Sequence, residues 1–141
     1  MTQQQMVALF TERGIRPTAQ RLAVYEYLQL HPIHPSAETV YQALVAEHPT
    51  FSRTTVYNSL HALVQAGLVL ELAMDTEERH YDATTHIHGH FHCRRCGSIG
   101  DFPLDEGWVH QLVPAGYTVL GQGVYFSGLC PACGQQSLTE A

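Results

Sequence analysis

Two Cys-x-x-Cys pairs, Cys93-Arg94-Arg95-Cys96 and Cys130-Pro131-Ala132-Cys133, use every cysteine in the chain. Each pair places two sulfurs on one side of a metal, and two pairs complete a tetrahedron. The spacing therefore predicts a closed zinc site of four thiolates. A thioredoxin-like redox pair accounts for one such motif but not for two. Directly before the first pair runs His86-Ile87-His88-Gly89-His90-Phe91-His92. These imidazoles cannot enter a site already filled by sulfur, so they imply a second metal of a different kind.

The 141 residues suffice for one compact domain or two small ones, and a hydrophobic fraction of 45% supports a globular core. No stretch is apolar enough to span a bilayer, and Met1-Thr2-Gln3-Gln4-Gln5 lacks the charged and apolar blocks of a signal peptide. A reducing cytoplasm is the expected compartment, where such cysteine pairs bind metal more often than they form disulfides. The formal net charge of −6 argues against nucleic acid until its distribution is considered. Within residues 1–60, Arg13, Arg16, Arg21 and Arg53 balance Glu12, Glu26, Glu38 and Glu47. The acid excess begins at Glu71 and continues through Asp75, Glu77, Glu78 and Asp82. There is no lysine, so phosphate contacts must come from arginine, hydroxyls or backbone amides.

Helical spacing of Met6, Leu9 and Phe10 ends at Gly14, a plausible stop. Thr18, Ser36 and Ser52 read as N-caps of three further helices, the last closed by Gly67. Between the second and third helices, His31-Pro32-Ile33-His34-Pro35 must be a turn, since each proline disfavours helix in the residue before it. Two extended pieces follow, Val69–Met74 and Arg79–Asp82, around the acidic turn Asp75-Thr76-Glu77-Glu78. Helices followed by a polar-tipped hairpin are the layout of a winged helix-turn-helix. Beyond it, residues 86–92 alternate, Phe102 opens another extended piece, and Asp105–Val113 suits a short helix. Tyr117–Leu120 and Val124–Leu129 read as strands.

The fourth helix opens with Ser52-Arg53-Thr54-Thr55-Val56-Tyr57-Asn58. Hydroxyls and amides there suit phosphates, and Arg or Asn suits base edges, as in a recognition helix. The plain alternative is a capped helix with a solvated face.

Taken together, Arg16-Pro17-Thr18-Ala19-Gln20-Arg21, His34-Pro35-Ser36-Ala37, Thr54-Thr55-Val56-Tyr57-Asn58-Ser59-Leu60, Gly67-Leu68-Val69 and the two cysteine pairs resemble the ferric uptake regulator family of metal-dependent bacterial repressors. The resemblance covers nearly the whole chain. It implies an α+β protein with an N-terminal winged helix-turn-helix at 1–82, a hinge at 83–85 and a C-terminal α/β dimerisation domain at 86–141 carrying the four-cysteine zinc site. It further implies a homodimer on double-stranded operator DNA and a regulatory metal at the domain junction.

By family position, the ligands of that metal are His34, Asp82, His88, His90 and Asp101. His88 and His90 are two apart on an extended segment and so share a face. Nitrogen and oxygen donors without sulfur suit Fe(II) or Mn(II) better than structural zinc. Aspartate at both carboxylate positions resembles the peroxide-sensing branch, where the uptake regulators tend to carry glutamate. That branch implies oxidation of a ligand imidazole by Fe(II) and hydrogen peroxide, at His34 or His88, with release of DNA. Such a protein is a sacrificial sensor and not an enzyme. Many relatives hold a further metal through His and Asp just before the first cysteine pair, but Ile87 and Gly89 stand here, so two metals per subunit are expected. His86 and His92 are expected on the same strand face as His88 and His90, but they match no ligand of the family and read as solvent-exposed or supporting.

The DNA contacts implied by position are Arg16, for minor groove or phosphate, Arg21 for phosphate, and Ser52, Arg53, Thr55, Tyr57 and Asn58 on the recognition helix. Two other functions remain open on these residues. One is an iron- or manganese-responsive regulator of metal uptake that ignores peroxide. The other is a metal-binding interaction module that does not read DNA, which the acidic charge and missing lysines would suit.

Overall fold

The computed structural model describes residues 1–72, 74, 77–120 and 122–140, with side chains described through residue 135. Of the expected hairpin, Ala73, Asp75 and Thr76 lie outside the described residues. The chain divides into two compact units, Met1–Thr85 and His86–Ala141.

The first unit holds helices α1 (Gln3–Glu12), α2 (Ala19–Leu30), α3 (Ala37–Glu47) and α4 (Arg53–Gln65), then strands β1 (Leu70–Leu72) and β2 (His80–Asp82). Each helix starts on a hydroxyl that accepts an otherwise orphaned backbone N–H: Thr2 from Gln5, Thr18 from Arg21, Ser36 from Thr39 and Ser52 from Thr55. Gly14 and Gly67 follow α1 and α4 with φ of 73° and 75°, the left-handed turn that glycine tolerates best. Helical periodicity turns Phe10, Val24, Val40, Val56, Leu60 and Leu63 into one core, where all are fully buried. Removing such a side chain down to alanine costs about 2–5 kcal/mol. The hairpin β1–β2 is antiparallel, with Leu70 opposite Asp82 and Leu72 opposite His80. A bridge from Ser36 to His80, and the Tyr81 N–H donated to the Pro35 carbonyl at 3.0 Å, tie the strand to the start of α3.

In the second unit, β3 (His88–Cys93) lies between antiparallel β4 (Ile99–Pro103) and parallel β5 (Val124–Gly128). Helix α5 (Glu106–Gln111) starts on an Asp105 cap, and α6 (Pro131–Glu140) starts inside the second cysteine pair and carries Cys133 in its first turn. Three local expectations need correction. The strand expected to open at Phe102 begins at Ile99, because the tight turn at the first cysteine pair returns the Cys93 N–H to the Ser98 carbonyl. Residues 117–120 form no strand: a turn spends the Tyr117 N–H on the Pro114 carbonyl, and Leu120 is 97% exposed. His86 lies before β3, not on its face with His92. Helix α6 is not among the expected elements, and Pro131 serves as its first residue.

Apolar burial in this unit is sparse. Among its described residues only Val109, Cys93 and Cys133 are buried hydrophobes, while Trp108, Leu112, Tyr117, Tyr125 and Phe126 are exposed. A mostly apolar cleft of about 330 Å³ lies between Ile87, Val109, Leu112, Tyr117 and Val124. No helix among the described residues is long and apolar enough to cross a membrane.

Candidate metal centres and nucleic-acid interface

The four cysteines converge from two turns. The first pair runs from the end of β3 into the turn before β4, and the second from the β5–α6 link into the first turn of α6. All four Sγ atoms lie within 4.8 Å of one another, and all four are free thiols. The Cys96 and Cys130 sulfurs are 3.9 Å apart. Tetrahedral zinc with bonds of about 2.3 Å places its sulfurs about 3.8 Å apart, so the cluster fits a zinc ion. The N–H groups of Cys96 and Cys130 each donate to Cys93 Sγ at 3.4 Å. These backbone donors lower the Cys93 pKa to about 5, and the Ser98 hydroxyl and amide lower that of Cys96. Proton sharing with Cys130, then burial, drives Cys133 up to about 12. Crowded sulfurs cannot all ionise without a compensating cation, and a dication supplies that compensation.

The nitrogen and oxygen donors form two groups, one within each unit. In the first unit, His34 Nε2 lies 3.4 Å from Asp82 Oδ2, and both side chains are buried. His34 takes a φ of 57°, a left-handed conformation uncommon for a residue with a side chain. Its carbonyl accepts from His80 Nδ1 at 2.7 Å, which holds the turn in place. Asp82 Oδ1 accepts the Thr84 N–H at 2.8 Å, leaving Oδ2 toward His34.

In the second unit, strand alternation puts His88, His90 and His92 on one face of β3. The antiparallel register sets Asp101 directly opposite His90. Asp101 Oδ1 is 3.4 Å from His90 Nε2 and 3.7 Å from His88 Nε2. The His88 Nδ1–H donates to the His86 carbonyl at 2.7 Å. That bond leaves the lone pair of the neutral ring on Nε2, the atom facing Asp101. His86 thus contributes a main-chain carbonyl that motif reading could not find. On the other face, Gly89 lies under the Phe102 ring, where a Cβ would overlap it. Phe102 in turn stacks near Phe126 at 5.7 Å between centroids. Neither donor group alone fills the shell of a divalent ion. Two imidazoles and one carboxylate, or one of each, are nevertheless the chemistry that Fe(II) and Mn(II) accept.

Helix α4 is the candidate nucleic-acid element. Arg53 and Tyr57, with Thr54 and Asn58, are exposed along its first two turns, and Thr55 is half-buried, its hydroxyl 2.9 Å from that of Ser52. Arg53 and Tyr57 are not loose side chains. Both engage Glu38 of α3, a residue that motif reading passed over. Arg21 spends one guanidinium nitrogen on the Arg16 carbonyl at 3.0 Å, which braces the turn before α2. Arg16 itself is exposed.

The ferric uptake regulator family matches residues 12–115. The chain is 34% identical over 138 residues to the peroxide-responsive repressor PerR of Staphylococcus epidermidis, covering 94% of this chain and 91% of that one. It is 38% identical over 130 residues to the peroxide operon regulator of Bacillus subtilis, covering 89% and 88%. Among solved structures, a zinc uptake regulator complexed with zinc and DNA superposes with a TM-score of 0.69 at 26% identity, covering 98% of this chain and 99% of that one.

Proposed function

The chain belongs to the ferric uptake regulator family, and from that premise we propose that it is a metal-dependent transcriptional repressor that senses hydrogen peroxide. One observation carries the reading. Five nitrogen and oxygen donors, without sulfur, are divided two and three between the two compact units. A single Fe(II) or Mn(II) held by His34, Asp82, His88, His90 and Asp101 would join those units and hold them at one angle. A dimer reads two half-sites only when their spacing is right, so such an ion would control operator affinity through geometry. In this reading residues 1–82 bind DNA and residues 86–141 dimerise, with 83–85 as the hinge. Exposed Trp108, Tyr125 and Phe126, on a unit with little buried core, support a second copy as their cover. The paired free cysteines suit a reducing cytoplasm, the compartment this reading takes.

Peroxide sensing follows from what the ligands can lose. An Fe(II) held there would supply the redox chemistry that activates peroxide close to the imidazoles, with no net change in the iron. In the net change one peroxide oxygen is added to a ring carbon of His34 or His88, the ring gives up two electrons, and the other oxygen leaves as water. The Nδ1 bond to the His86 carbonyl orients His88 for this, and the oxidised ring is a poorer donor. Metal affinity falls, the units are released from their fixed angle, and operator DNA is released with them. The protein is consumed by its signal and does not turn over. Aspartates at 82 and 101, shorter by a methylene than glutamate, support an open coordination position for peroxide.

The test is peptide mass spectrometry of the zinc protein loaded with Fe(II), before and after a small dose of peroxide. One added oxygen on His34 or His88, absent when Mn(II) replaces iron, is the expected result. Intact histidines with iron still bound would assign the protein to metal-responsive regulation without peroxide sensing. Metal uptake without binding to any operator would make it an interaction module.

A further inference from the structure

Arg53 is the first residue of α4, and its guanidinium is held on two sides. Its Nε donates to Glu38 Oε2 at 3.1 Å and its Nη2 to Glu38 Oε1 at 2.9 Å. The guanidinium carbon sits 4.6 Å over the centre of the Tyr41 ring. Glu38 is itself anchored: Tyr57 donates its hydroxyl to Oε2 at 3.3 Å, and Gln42 donates its amide to Oε1 at 2.9 Å. A carboxylate in the first turn of α3 suits that helix dipole, but dipole complementarity does not account for a paired, stacked arginine on the neighbouring helix.

We propose that Arg53 selects a guanine in the major groove of the operator and that Glu38 is the positioning residue that aims it. The assignment rests on the DNA-binding reading above and names the base which that interface takes. Pairing through Nε and Nη2 uses the side edge of the guanidinium. The end edge, formed by Nη1 and the outer hydrogen of Nη2, keeps two parallel donors. Those donors match the O6 and N7 acceptors that guanine presents in the major groove. The N-terminal residues of a recognition helix are the ones that reach base edges.

Charge decides between base and phosphate. A carboxylate at about 3 Å cancels most of the guanidinium's attraction for an anion, while a neutral base edge needs aligned donors more than net charge. A free arginine loses about 2 kcal/mol of rotamer freedom on being fixed. Here Glu38 and Tyr41 fix it before DNA arrives, so less of that cost falls on binding.

The experiment selects duplexes from a randomised library with the full chain, zinc-loaded and carrying Mn(II) so that no oxidation intervenes. Wild type, Arg53→Met and Glu38→Gln are compared after their zinc content and melting are checked. Wild type is expected to enrich one guanine per half-site that Arg53→Met no longer selects. Replacing that guanine by 7-deazaguanine should weaken wild-type binding about 5- to 100-fold and leave Arg53→Met unaffected. Glu38→Gln should select the guanine less strongly, and its binding should fall more steeply with salt as Arg53 regains its charge. Three results overturn the assignment: Arg53→Met enriching the same sites, Arg53→Met weakening all duplexes equally with a shallower salt slope, or Glu38→Gln binding the guanine sites more tightly. Enrichment of no sequence by wild type would instead remove the DNA-binding reading itself, and this assignment with it.

Discussion

His90 and Asp101 face each other across the β3–β4 register, with Nε2 and Oδ1 3.4 Å apart. The contact is made by strand pairing, so the carboxylate reaches His90 and His88 without any loop having to close. Asp101→Ala should therefore leave a folded zinc protein while lowering Mn(II) affinity by at least about 10- to 100-fold, the loss already seen when a mere supporting partner is removed. Competition with a chelating dye measures it. Unchanged affinity would remove Asp101 from the regulatory site.

Gly89 should tolerate no side chain. A Cβ there meets the Phe102 ring, whereas one at Gly100 meets nothing within 4 Å. Gly89→Ala should destabilise the second unit by about 1–3 kcal/mol, the usual cost of overpacking, and weaken metal binding by shifting its neighbours His88 and His90. Gly100→Ala should cost far less. Equal melting temperatures for the two variants would contradict this packing.

Cys133→Ser should abolish zinc binding and the cooperative melting of residues 86–141. With so little apolar core in that unit, the ion contributes directly to its folding. Helix α4 and the core around Phe10 and Leu60 use none of these sulfurs, so most helical circular dichroism should survive. Retention of one zinc per chain would show that three sulfurs suffice.

Glu38 should titrate far below an ordinary carboxyl group. The hydrogen bonds from Arg53, then Gln42, hold its pKa at about 2 against an ordinary 4.5. Because the folded value is depressed, the pair's contribution is complete above pH 4.5 and is lost as pH falls toward 2. Both groups are exposed, so the effect on overall stability is small. A carbon-detected titration of the Glu38 carboxyl should give a midpoint near 2, moving toward 4.5 in Arg53→Met. An unshifted midpoint in the variant would show that Arg53 is not the cause.

Signals that act over a few residues were legible without coordinates. Thr18, Ser36 and Ser52 cap helices because a hydroxyl satisfies an N–H three residues on, wherever the chain goes afterwards. Cys-x-x-Cys spacing likewise sets two sulfurs side by side, and alternation sets His88 and His90 on one face. The strand expected at residues 117–120 does not form, because a turn to Pro114 takes the amide that it needs.

What the sequence by itself determined is thus the first five helices, the cysteine pairs and the types of the candidate metal donors. Only tertiary structure decided which partners they meet. Asp101 faces His90 through strand register, and Glu38 reaches Arg53 because α3 packs on α4. His34 is left-handed in a turn that His80 holds from 46 residues away. Register and helix packing depend on burying side chains distant in sequence, and no local pattern encodes the particular partner.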